Sequence, residues 1–345
     1  MRRLQISTRA GAAYLLGLGS FLALTTPAAA HVKWFAPYNV GAQPDQLHEV
    51  LDSNFFVLIA LSIALIAFGA FIETTFIGKA ILRALDSVTG ILNIGSEYIM
   101  RAIVGVFLVA LWQHGGIILT PELKTQSTFI PWLQLLMAIS LIWRPTMLFA
   151  AVGIFFLYGF ALMHYSVFHM MDYPIFLGIA VYFGALSLNR KVFSIEPVTF
   201  LRWSTGLTLI WASVEKWAYP EWTYALAVSH PGMFGGFSKE FFLCAAGAVE
   251  FALAFCLLAT PFLRRTSAII LLAMFVGAIL PFGMIDAIGH SAIIAVLLVV
   301  IGDNAPANNN RQEIWRSAVA FSGALVLVIG SYYALHAAIY ATLIL

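Results

Sequence analysis

Apolar stretches of 15 to 26 residues recur along nearly the whole chain, and no other sequence feature constrains the fold as strongly. They fall at about 54–75, 97–119, 129–143, 146–163, 173–188, 199–217, 238–260, 266–285, 287–302 and 315–340. A helix that crosses a bilayer needs roughly 20 apolar residues. In lipid the backbone must satisfy its own hydrogen bonds, so such stretches form helices. The spacing therefore predicts an all-α, polytopic membrane helix bundle of about ten transmembrane helices. Of the 345 residues, 61% are hydrophobic and 10% charged, against about 45–50% and 25% in soluble proteins. This balance excludes a disordered chain, a disulfide scaffold and a nucleic-acid binder.

Residues 1–30 read as an export signal. Arg2, Arg3 and Arg9 are basic, 10–24 is apolar, and Ala28-Ala29-Ala30 suits a cleavage site. Cleavage after Ala30 would leave His31 at the mature terminus, where its amine and imidazole together suit a metal such as Cu(II). Residue 31 then lies outside the inner membrane and the loops alternate in side. On that map eleven Lys and Arg fall inside, whereas Lys33, Lys124, Lys216 and Lys239 fall outside. This is the positive-inside bias of a bacterial-type inner membrane protein. All eight histidines fall on or near the outer side, with nine of the acids, among them Glu122. The periplasmic face is thus acidic and rich in imidazole, suited to cations.

Two stretches open alike, Arg101-Ala-Ile-Val-Gly105 and Arg202-Trp-Ser-Thr-Gly206, and each leads into four apolar runs. Two parallel four-helix units are expected, at 97–188 and 199–302. They are preceded by an exported segment, first helix and cytoplasmic connector over 31–96, and followed by a linker and last helix over 303–345. The second unit resembles the DoxX-like family of four-helix membrane proteins. The matching residues are Arg202 and Gly206, Glu215-Lys216, Glu250 in Val249-Glu250-Phe251-Ala252, and Arg264-Arg265-Thr266-Ser267-Ala268, with a weaker echo in 97–188. The resemblance implies a redox-associated role in the inner membrane.

Glu250 lies within an apolar run, where an ionisable group costs about 2.5–3.5 kcal/mol or more and faces a partner or a wet cavity. It is a candidate proton carrier or quinone hydrogen-bonding group, with Glu215 and Lys216 as further catalytic candidates. His114 and His290 are cofactor candidates. Asp286 and His290, and likewise His48 and Asp52, are spaced to share a helix face. His164, His169 and Asp172 surround the outer end of another run. The metal candidates are therefore His31, His48, His164, His169, Asp172, Asp286 and His290. Cys244 and Cys256, twelve residues apart on one expected helix, are separated by roughly 18 Å, beyond disulfide reach. Phosphate-binding and nucleophile-elbow motifs are absent from the sequence.

The leading expectation is a redox-associated inner-membrane protein with a periplasmic-side site for quinone, a metal ion or a periplasmic or membrane redox subunit. Quinone and copper are the cofactors considered. A metal-ion transporter or delivery protein, most plausibly for copper, and a non-catalytic assembly factor are the alternatives. N-terminal sequencing of the exported protein is expected to begin at His31; any other start removes the terminal-chelator role.

Overall fold

The computed structural model describes residues 32–340; the expected export signal and His31 lie outside the described residues. Among the described residues the chain is helical as expected, with one small hairpin. In order the elements are a 3-10 turn Val32–Trp34, α1 Leu47–Val50, α2 Ser53–Thr74, α3 Phe76–Ile94 and α4 Ser96–His114. The hairpin β1 Ile117–Ile118 and β2 Thr120–Lys124 follows, then α5 Phe129–Ser140, α6 Met147–His164, α7 Val167–Met170 and α8 Pro174–Ser187. The second half holds α9 Pro197–Ala218, α10 Pro220–Ser229, a 3-10 turn Pro231–Phe234, α11 Lys239–Cys256, α12 Pro261–Gly302 and α13 Gln312–Tyr340. Helices α2, α4, α6, α12 and α13 are each long and apolar enough to cross a membrane; α5 and α8 are shorter apolar helices.

The packing order follows the chain. Helix α4 packs on α5, α5 on α6, α6 on α8, α8 on α9, α9 on α11, α11 on α12, and α12 back on α4. These helices form a closed ring, with α2 and α13 packed together on the side of α11. Helix α12 is not straight. Its Gly283 has φ 74°, ψ −150°, two residues after Pro281, a conformation that glycine alone adopts at low cost. Arg265 Nε donates to the Ile301 carbonyl at 2.9 Å, although 36 straight helical residues would span roughly 54 Å. The chain therefore doubles back at Gly283, and the ring of Phe275 meets that of His290 at 4.6 Å.

The stretch 76–96, expected as a plain connector, is largely the amphipathic helix α3. Phe76, Ile77, Val88, Ile91 and Ile94 are exposed on it, while Asp86 and Thr89 bind Arg265 at 2.5 and 2.9 Å. A search for long apolar runs passes over a helix that is only half apolar. This end of the bundle carries the arginines, and several of them bond to the C-terminal ends of helices. Arg101 donates to the Leu141 carbonyl at 2.6 Å, Arg144 to that of Leu186 at 3.1 Å, and Arg264 pairs with Asp303 at 2.7 Å.

At the opposite, acidic end the segment 32–46 lies across the helix ends. The Asp45 amide donates to the Ala218 carbonyl at 2.8 Å. The hydroxyls of Tyr333 and Tyr219 donate to the carbonyls of Asp45 and Ala42 at 2.7 and 3.0 Å. His336 Nε2 meets the Val40 carbonyl at 3.2 Å. Trp34 lies flat on Gly289 of α12, where a Cβ would run into the indole, and its ring is 4.8 Å from that of His290. Gly289→Ala is expected to lift Trp34 and destabilise the protein by about 1–3 kcal/mol; thermal unfolding in detergent measures this, with Trp34→Ala relieving part of the loss.

Candidate metal centre

Lys33 enters the bundle from the 3-10 turn Val32–Trp34 and is 6% exposed. Its ammonium donates to Asp172 Oδ2 at 2.5 Å and to Glu215 Oε1. Asp172 lies just before α8, and Glu215 lies in the last turn of α9. Glu122 comes from β2, which folds inward instead of running over the surface. Gln134 of α5 donates to the Ile117 carbonyl at 3.0 Å, and the Tyr165 hydroxyl binds the Lys124 amide at 2.6 Å, pinning both strands. Leu119, between the strands, takes a positive φ of 62°, which closes the tight turn.

Glu122 Oε1 lies 2.6 Å from His169 Nε2 and also accepts from the Tyr173 hydroxyl. Glu122, His169 and Asp172 are all buried, and one ligand atom from each lies within 4.8 Å of the others. Two of their oxygens, Glu122 Oε2 and Asp172 Oδ1, are buried and have no hydrogen-bond partner among the described residues. Buried oxygens left without a partner are explained by strain, a catalytic role, or a bound water or ion.

The charges do not balance. Three carboxylates face one lysine, and the single imidazole adds at most one more positive charge, so the cluster is net negative until a proton or ion joins it. Burial works against the Lys33 ammonium, but Asp172, Glu215 and Glu122 together hold its pKa well above the ordinary lysine value. Burial pushes the Glu122 carboxyl up, yet Lys33 and the bonds from His169 and Tyr173 bring it below its ordinary value. For Asp172 burial outweighs Lys33, and the carboxyl is raised.

Of the candidates named from sequence, the fold thus brings His169, Asp172 and Glu215 together. Lys33 and Glu122 join them, although neither stood out as a site residue. Glu122 carried no motif, and Lys33 was simply one of the few bases on the outer side. Asp286 and His290 form a separate buried pair at 2.9 Å beneath Trp34. Lys216 and Glu250 pair at 2.5 Å with side chains about one-tenth exposed. His48, His114 and His164 are exposed and stand apart from the cluster; His164 Nδ1 meets the Phe160 carbonyl at 2.8 Å. The expected His48–Asp52 partnership is replaced by a helix cap, in which Asp52 accepts from the Phe55 amide at 2.7 Å. Cys244 and Cys256 are free thiols.

The Lys216–Glu250 pair is a test of how tightly such charges depend on one another. Breaking a buried pair costs about 3–5 kcal/mol, whereas replacing both partners by apolar groups is often neutral. Lys216→Met is expected to show that loss in denaturant unfolding, and Lys216→Met with Glu250→Met to recover most of it. Comparison with family models, curated proteins and solved structures finds no match.

Proposed function

We propose that the chain is a multi-pass inner-membrane protein that binds a divalent metal ion at its periplasmic face, in a redox-associated role. The observation that carries this reading is the buried group Glu122, His169 and Asp172, with an unpartnered oxygen on each carboxylate. Two carboxylates and an imidazole are hard to borderline ligands. They suit Mn2+, Fe2+ or Zn2+ better than Cu(I), which prefers thiolates and thioethers. Bound there, an ion would take the place of the proton between His169 and Glu122 and would offset the cluster's excess negative charge.

In this reading the protein has ten spans in two four-helix units, α4–α5–α6–α8 and α9–α11–α12, the two arms of α12 counting separately. The ring order supports it, because the contact of α8 with α9 has a counterpart where α12 returns to α4. The same order agrees with a DoxX-like ancestry. The arginine end is then cytoplasmic and the acidic end periplasmic, in keeping with the positive-inside rule. A quinone site at Glu250 has less support. Glu250 is tied to Lys216, and the cavity beside that lysine, lined by Trp217, Tyr224 and Leu243 as well as by four acids, is about 150 Å³, below the roughly 300–1,000 Å³ of a typical ligand pocket.

The test is titration of the purified full-length protein with Mn2+, Fe2+ and Zn2+ in detergent, read by calorimetry and elemental analysis. One ion per chain is expected. His169→Ala and Glu122→Gln should each weaken binding by more than the roughly 10–100-fold lost when a group that merely orients a ligand is changed. Absence of a bound ion under all three metals, or equal binding by the variants, would overturn the reading.

A further inference from the structure

We infer that the ammonium of Lys33 is a tethered cation that fills the acidic cage of Asp172, Glu215 and Glu122, and that a divalent metal ion enters by displacing it, so that Lys33 makes the site select for ion valence. The inference rests on the metal reading above and concerns what that site admits.

Asp172 is the shared element. One of its oxygens holds Lys33 at 2.5 Å, and the same side chain belongs to the three-ligand group with Glu122 and His169. An ammonium and a dication drawn to one buried carboxylate repel each other strongly, since low dielectric magnifies the interaction. The two cations therefore compete. The lysine does not satisfy the cage fully, because Asp172 Oδ1 and Glu122 Oε2 stay unpartnered with Lys33 in place. A metal ion uses those oxygens and the imidazole, which an ammonium cannot ligate.

The displaced ammonium has somewhere to go. Lys33 Nζ already lies 5.5 Å from the Trp222 ring centroid and 5.7 Å from that of Tyr38, within the range of a cation–π contact. Beyond Trp222 lies a water-sized cavity of about 20 Å³ bordered by Val32, Glu215, Lys216 and Thr223, where the charge of Lys216 is already taken up by Glu250. The long aliphatic stem lets the ammonium swing while 40–45 stays anchored through Val40, Ala42 and Asp45.

Valence selection follows from the tether. A covalently attached cation acts at a high effective concentration. Na+ or K+ brings no more charge than the ammonium and prefers oxygen ligands alone, so neither displaces it. A divalent ion brings twice the charge and bonds to nitrogen as well.

The experiment is amine-specific acylation of the full-length protein, with modification at Lys33 read by mass spectrometry. Lys33 is expected to be protected in the absence of metal and in Na+ or K+, and to react at least about tenfold faster once Mn2+ or Zn2+ is bound. In parallel, Lys33→Gln is expected to bind Mn2+ or Zn2+ about tenfold tighter or more, and to let Na+ compete. Metal binding with Lys33 still protected, or a Lys33→Gln affinity equal to or below that of the unaltered protein, overturns this inference and leaves the metal site standing. Failure of both proteins to bind any of the metals overturns the two together. If Lys33→Gln does not fold, the acylation result on the unaltered protein decides alone.

Discussion

Three carboxylates gathered in one buried place will not all stay ionised without a cation among them. Glu122, Asp172 and Glu215 come from a hairpin, an interhelical turn and a helix end, and the ammonium that holds two of them arrives from the segment ahead of the first long helix. The acidic end is organised around that one ammonium. The backbone anchors from Val40, Ala42 and Asp45 fix the segment, and Trp34 seats it on α12 at the position where only a glycine leaves room. Apolar packing closes the ring of helices, while ionic attraction helps to place the segment 32–46. The two act at different levels: burial of the helices is non-directional, whereas the charged contacts set one register for residues 32–46.

The two ends of the bundle use charge in opposite ways. At the arginine end Arg101, Arg144 and Arg265 donate to carbonyls that finish helices, so much of their charge is spent on groups that any helix presents. At the acidic end the charges face each other, away from backbone, and two oxygens remain free. The first arrangement is structural throughout. The second leaves unused ligand capacity, which is why the functional reading rests there.

Much of the fold was legible in the sequence because a bilayer asks for one property, a long apolar run, and α2, α4, α6 and α13 supply it plainly. The arms of α12 were legible through their separate apolar runs, although the turn between them is a single glycine in a conformation that composition does not reveal. Helix α3 was missed since only half its face is apolar. The site was legible in part. His169, Asp172 and Glu215 were named because polar residues at the ends of apolar runs stand out. Glu122 and Lys33 were not, because what makes them matter is contact with residues up to 182 positions away in sequence, and one chain without depth information carries no trace of such a contact. Conversely, the sharing of one side by eight histidines suggested a common site, but side is a coarser quantity than distance; His48, His114 and His164 share the face and not the cluster.

The segment 32–46 is made early and seated late. Its anchors on α13, at Tyr333 and His336, lie almost 300 positions further along the chain. Contacts of that span form after the intervening chain is in place. The anchors at Ala42 and Asp45 on Tyr219 and Ala218, and the seat of Trp34 on Gly289, precede the final helix, whereas those on Tyr333 and His336 wait for it. The segment is thus fastened twice, and its second fastening ties the start of the described chain to its last helix.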